Sequence, residues 1–148
     1  MDSDNTNKRK ILVTSALPYA NSSLHLGHIL EAVQTDIWVR FHNLNGNECL
    51  YFCADDTHGT PVMLKAKEDG INPEQLISEV KKDHMETYEL YDINFANFHS
   101  THSDENKKYS EFIYNKAKEK DLITRKTIKQ LYDEKESMFL SDRFVKGA

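Results

Sequence analysis

Ile11-Leu-Val-Thr-Ser-Ala-Leu-Pro-Tyr-Ala-Asn-Ser-Ser-Leu-His-Leu-Gly-His28 contains the change of period that decides the fold. Its first four residues, Ile11–Thr14, form a β-branched and apolar run with no polar alternation, the pattern of a strand buried in a parallel sheet. The run stops by Pro18, because proline cannot pair in a ladder. From Leu26 the spacing becomes helical: Leu26, Ile29, Leu30, Val33, Ile37, Phe41 and Leu44 recur on one face, and Gly46 supplies the stop.

The same alternation continues along the chain. Glu48–Cys53 predicts a second strand, with Ala54-Asp-Asp-Thr-His-Gly59 as the loop at its carboxyl end. Thr60-Pro61 opens a short helix that Gly70 closes. Asn72 caps another, with Pro73 at its first position and Gln75 at its third, and this helix carries Ile77, Val80, His84, Tyr88 and Tyr91 on one face. A third strand is expected within Asn94–His102. Ser103 then caps a helix with Tyr109, Phe112, Ile113 and Ala117 on its apolar face, and Lys126–Tyr132 and Met138–Leu140 predict small hairpin strands. Strands alternating with helices through short links define an α/β chain with a parallel sheet, whose ligands lie outside the carboxyl ends of the strands.

Composition narrows the function. The 148 residues carry 19 Lys plus Arg against 24 Asp plus Glu, a formal charge of −5, which argues against nonspecific nucleic-acid binding and against DNA as a partner. The charge is uneven: residues 1–103 hold 8 basic and 15 acidic side chains, residues 104–148 hold 11 and 9, and all 7 histidines fall between His25 and His102. That shift places a module boundary near residue 103. Residues 1–9 are polar and read as a disordered tail rather than a signal peptide, and no apolar run approaches bilayer length, so no membrane role is expected. Cys49 and Cys53, four apart in one apolar run, read as free thiols of a reducing, cytoplasmic compartment.

Two stretches occupy the carboxyl ends of the first two strands. Ala16–His28 places two imidazoles and a glycine on the first turn of a long helix, where backbone N–H groups and the helix dipole favour an anion such as a nucleotide phosphate. There is no G-x-G-x-x-G and no Walker loop, so the phosphate would be held by imidazoles rather than by a glycine cradle. His25 and His28 could instead be zinc ligands, although no third ligand lies at suitable spacing, or plain helix caps. The second stretch carries Asp55 and Asp56. Adjacent residues at a strand end point in different directions, so one carboxylate can face the crevice and pair with an ammonium while the other caps the turn. His99 and His102, near the third strand end, are candidates for a second phosphate contact.

Together the two stretches closely resemble the bacterial methionyl-tRNA synthetases, class I aminoacyl-tRNA synthetases. The resemblance rests on Ala16-Leu-Pro-Tyr-Ala-Asn21 leading to His25-Leu-Gly-His28, which resembles the class I "HIGH" element, and on Ala54-Asp-Asp-Thr-His-Gly-Thr-Pro61. Phe139-Leu-Ser-Asp-Arg-Phe-Val-Lys-Gly147 resembles the lead into the family's zinc-binding knuckle. The resemblance implies a Rossmann-like nucleotide-binding half-domain over residues 10–102, then the start of an α+β connective insert over 103–148. It implies methionine, ATP with Mg2+ and tRNA(Met) as partners. His25 and His28 would bind the ATP phosphates and act as the catalytic residues, with Tyr19 and Gly27 completing the ATP site and Glu31 against the adenine. Ala16, Leu17, Tyr19 and Asp56 would form the methionine site, Asp56 taking the ammonium.

Two departures from the family pattern stand out. Ser22 occupies a position where the family loop often has glycine, which would cost on the order of 1 kcal/mol if that position needs a positive φ. The family's Lys-Met-Ser-Lys-Ser loop, zinc-knuckle cysteines and tRNA-binding helical domain do not occur in these 148 residues, so no metal is expected within this chain and Zn2+ is implied only for a continuation of the insert. A fragment of the synthetase catalytic domain is therefore expected, inactive or very weak alone. A small nucleotidylyltransferase using the same histidine element and a non-catalytic appended domain are the alternative readings.

Overall fold

The structure, a computed structural model, describes residues 8–135 and 137–139. Most of the expected tail, and the Leu140–Gly147 part of the knuckle-like segment, lie outside the described residues, as does residue 140 of the second expected hairpin strand. The chain divides into two compact units, with the boundary between His102 and Ser103.

In the first unit, β1 (Lys10–Thr14), β2 (Glu48–Asp55) and β3 (Asn97–Ser100) form a parallel sheet in the order β1-β2-β3, with Leu12 opposite Leu50 and Cys53 opposite Phe98. The connections are α1 (Leu26–Leu44), then α2 (Thr60–Asp69) and α3 (Pro73–Leu90). The predicted α/β fold and element order are therefore present. Local chemistry sets the boundaries: Asn72 Oδ1 accepts from the Gln75 amide at 2.7 Å and Pro73 opens α3, while Gly70 closes α2 with a left-handed φ of 70°.

The sheet is covered on one face. Cys49, Tyr51, Cys53 and Asp55 point under the helices and are buried, whereas Leu12 and Leu50 on the other face are exposed. Ile29, Ala32 and Val39 of α1 pack with Cys49, Tyr51, Tyr88 and Ile93 into the larger core, and Ala20, Val62, Ala66, Leu76 and Val80 form a second one. The first strand, expected to be buried, is thus only partly covered, because the described residues supply helices to one side of the sheet.

The helix faces need correction for the same reason. The stripe of α1 that packs inward is Ile29, Ala32, Asp36 and Val39; of the predicted stripe, Leu26, Leu30, Ile37, Phe41 and Leu44 are exposed. A helix with apolar residues on more than one face offers two candidate stripes, and periodicity alone cannot choose between them. Asp36 is tolerated inward because it accepts from Arg40 Nε and from the Asn94 amide, and Arg40 reaches on to Asp92, tying α1 to the turn after α3. On α3 the buried set is Leu76, Val80, His84 and Tyr88; Tyr91 is exposed.

In the second unit, α4 (Asp104–Glu119) starts on Ser103, whose Oγ accepts from the Asn106 amide at 3.2 Å. Its expected apolar face is exposed at Tyr109, Phe112 and Ile113, and no residue of α4 is buried. The hairpin is shorter than predicted: β4 (Tyr132–Asp133) pairs antiparallel with β5 (Met138–Phe139), and 126–131 form no strand. Its polar and apolar alternation has no second ladder to pair with among the described residues.

Candidate functional site

The carboxyl ends of the three strands bring both predicted stretches together. The loop between β1 and α1 is laced to the end of β2 by an isolated parallel bridge between Tyr19 and Asp56. The Asp56 amide donates to the Pro18 carbonyl and the Ala20 amide donates to the Asp56 carbonyl, each at 2.8 Å. Tyr19 Oη donates to the His58 carbonyl, and Thr57 joins the end of β2 to Thr101 after β3 through a hydroxyl contact of 2.9 Å. Tyr19, Asp56 and the start of α1 are therefore held by backbone pairing across strand ends.

His25 is the N-cap of α1. Its Nδ1 accepts from the Gly27 amide at 3.1 Å and from the His28 amide at 3.4 Å, and His28 Nδ1 accepts in return from the His25 amide at 3.3 Å. The two rings stack with centroids 3.6 Å apart and planes 13° from parallel. Because each Nδ1 is an acceptor, each neutral ring must carry its proton on Nε2. The capping reading is thus borne out, and its geometry is compatible with an anion at the same turn. The expected donors change, however: the Gly27 and His28 amides are used by the cap, and two Nε2–H groups replace them. Burial, then the neighbouring charges of His25 and His84, holds the His28 pKa below the usual histidine value.

Gly27 has a local reason to be glycine. A Cβ there would lie 3.0 Å from His25 Cε1 and 3.1 Å from its Nδ1, where the ring folds back over the helix start. Ala16 and Leu17 lie exposed at the loop entrance, and the Ala16 amide donates to Glu31 Oε1 at 2.9 Å. Glu31 therefore buttresses this loop from one turn into α1. Ser22 is not left-handed; the positive-φ non-glycine residues among those described are Asp92, Asp121 and Ser137. The expected strain at Ser22 is absent because the loop turns without it.

The two carboxylates separate cleanly. Asp55 is fully buried on the helix side of the sheet, whereas Asp56 is half-buried at the strand end beside Tyr19. His99 pairs with Ala54 and stands with the exposed face of the sheet, away from His25 and His28, while the His102 ring lies 5.5 Å from that of His58. His102 lines a separate cleft of about 200 Å³ with His58, Met63 and Ile77. Among the described residues, no three His, Cys, Asp or Glu side chains converge as metal ligands.

His84 is the polar residue that periodicity assigned only to a helix face. It is fully buried, its Nδ1 lying 2.7 Å from Asp55 Oδ1 and its Nε2 2.9 Å from the Ser22 carbonyl. A histidine inside an otherwise apolar stripe was the available signal, since a buried polar side chain needs partners. Burial alone would lower its pKa, but the hydrogen bonds to Asp55 and Ser22 and the charges of Asp55 and Asp83 outweigh it and hold His84 above the usual histidine value.

The carboxyl end of the parallel sheet thus sets a stacked imidazole pair after one strand and a half-buried carboxylate after the next. A family model described as tRNA synthetases class I (M) matches residues 11–148, and the chain belongs to that family. Among solved structures, it is similar to the agnB2 LeuRS of Agrobacterium radiobacter in its ternary complex with tRNA and LeuAMS. The TM-score is 0.78 at 21% identity over 93% of this chain, which shows the fold. The chain spans 18% of the length of that LeuRS.

Proposed function

We propose that this chain is the ATP- and methionine-binding part of a methionine–tRNA ligase. The Tyr19–Asp56 bridge carries the proposal, because it sets an ammonium-binding carboxylate next to the loop that leads to the His25 and His28 donors. An α-amino acid and a nucleotide triphosphate need that juxtaposition if carboxylate is to meet phosphate. In this reading Asp56 pairs with the methionine ammonium, while Ala16, Leu17 and Tyr19 line the methionine and adenylate pocket. Gly27 and Glu31 lie toward the adenine, and Tyr19 borders both ligands.

ATP enters with its Mg2+. One carboxylate oxygen of methionine attacks the α-phosphorus in line, the bond from that phosphorus to the bridging oxygen breaks, and pyrophosphate leaves. The Nε2–H groups of His25 and His28 donate to the phosphate oxygens where negative charge develops, so catalysis is positioning and electrostatics. A tRNA(Met) 3′-terminal hydroxyl then takes the methionyl group and AMP departs. The buried, unbridged Cys49 and Cys53 fit a cytoplasmic setting.

Methionine-dependent ATP–pyrophosphate exchange tests the proposal. The protein that carries this chain in full is expected to exchange with methionine and not with leucine, and His25→Ala and Asp56→Ala are expected to lower the rate at least a hundredfold. Exchange with leucine alone, or exchange independent of any amino acid, overturns it. The isolated 148-residue chain is expected to bind ATP and methionine only weakly.

A further inference from the structure

The Asp55–His84–Ser22 connection lies outside the residues assigned above, yet it touches the loop that carries them. Both partners of the imidazole only accept: Asp55 through a carboxylate oxygen and Ser22 through its backbone carbonyl. His84 satisfies both fully only as a double donor, with a proton on each nitrogen. Asp55 Oδ2 takes no hydrogen bond from any described residue, so His84 is the side chain that compensates this buried carboxylate. An imidazolium–carboxylate pair with neither member exposed is a costly way to fill a core, and an apolar side chain of similar volume would pack there without that cost.

We propose that His84 is the positioning residue of the site: its ring spans from Asp55 at the end of β2 to the Ser22 carbonyl, and so sets where the loop holds His25 and His28 relative to Asp56. The ligands follow the function proposed above. The bridge itself stands on geometry alone. Three attachments fix the loop between β1 and α1: Glu31 holds Ala16, the backbone pairing with Asp56 holds Pro18 to Ala20, and His84 holds Ser22, three residues before the N-cap. Of these, the His84 attachment depends on a titratable ring proton, which the hydrogen bonds to Asp55 and Ser22 retain to higher pH than in a free histidine. The charged and titratable groups around it are Asp55 from β2, Asp83 from its own helix and His28 from α1. Loss of one ring proton removes one donor, and the neutral Ser22 carbonyl is the weaker competitor for the one that remains. The Ser22 end of the strut therefore releases on the alkaline side.

Nitrogen-15 NMR of the histidine rings in the 148-residue chain, followed from pH 6 to 9, tests this. Both His84 ring N–H groups are expected at pH 7, and the Ser22 to Leu24 amides are expected to shift with the same midpoint as the His84 ring. His84→Leu is expected to abolish that loop titration and weaken ATP binding at least tenfold, while His84→Gln, which keeps one donor, restores part of the binding. Loop amides that ignore the His84 ring in the wild-type chain overturn the proposal, as does wild-type ATP affinity in a folded His84→Leu chain. If His84→Leu does not fold, the wild-type titration still decides. If the wild-type chain shows the coupled titration while the protein that carries it in full exchanges pyrophosphate with no amino acid, the functional reading falls and the strut stands.

Discussion

His25 and His28 cap each other's backbone across the first turn of α1, and the reciprocal bonds fix both side chains as Nε2–H donors in a stack 3.6 Å apart. A helix terminus normally offers its free amides to an anion. Here the cap consumes the Gly27 and His28 amides and presents two side-chain donors in their place. The rings are also set by the helix itself, so a phosphate bound as proposed would require little further ordering.

Gly27→Ala separates stability from binding. Alanine gains about 1 kcal/mol of helix propensity over glycine. Its Cβ, 3.0 Å from His25 Cε1, makes that ring give by a few tenths of an ångström and weakens a cap worth about 1 kcal/mol. Thermal unfolding is expected to change by no more than a few degrees, while ATP affinity, read by titration calorimetry on the full protein, falls at least tenfold. Unaltered affinity would show that the stacked geometry is dispensable.

Gly59 and Gly46 form an internal comparison. Both have positive φ, 111° and 80°, but a Cβ at Gly59 would come within 2.5 Å of the Tyr19 hydroxyl whereas nothing lies within 4 Å at Gly46. Gly46→Ala is expected to cost about 1 kcal/mol from its backbone alone. Gly59→Ala should cost at least twice that in urea unfolding and also weaken methionine binding, since Tyr19 must move. Equal losses at the two positions would mean that the Tyr19 contact is unimportant.

Acid should loosen the start of α1. The pKa of His28 is lower in the folded chain than the 6.5 of an unperturbed histidine. The unfolded chain therefore binds the proton first, so this contribution to stability is complete above 6.5 and is lost as pH falls through the folded value. A proton on His28 Nδ1 also breaks its bond from the His25 amide. Ring titration by NMR is expected to give a His28 midpoint below 6.5, and added ATP should raise it. A midpoint above 6.5 without ligand contradicts the cap.

Ser22→Gly is expected to bring no gain. Ser22 has no positive φ, so glycine relieves nothing and adds freedom to the unfolded chain, for a loss of roughly 0.5–1 kcal/mol. Chemical denaturation of the two chains checks the sign; stabilisation would show that serine is strained there after all.

Much of the fold was legible. The change from a strand run at Ile11–Thr14 to helical spacing at Leu26, and the proline and glycine punctuation at Pro61, Gly70 and Pro73, locate the first-unit elements to within a few residues, because these signals are local. The buried face of α1 was not legible. Leu30 and Ile37 are as apolar as Ile29 and Val39, and only the position of the sheet distinguishes them. The short reach of β4 was hidden likewise, since Lys126–Tyr132 mixes Ile128, Leu131 and Tyr132 with polar residues well enough for a strand but finds no ladder before Tyr132.

Sequence by itself determined which side chains stand at the ends of the strands: two histidines around a glycine, two adjacent aspartates, and a loop between proline and asparagine. It also determined the α/β class, since periodicity and chain direction suffice for that. The tertiary structure decided which aspartate is buried and which stands by Tyr19, and which amides remain for a ligand. It also decided that His84, 62 positions from Ser22, holds the loop between them. These choices depend on distances between segments remote in the chain, and a buried imidazole needs both of its partners in place before its role has any meaning.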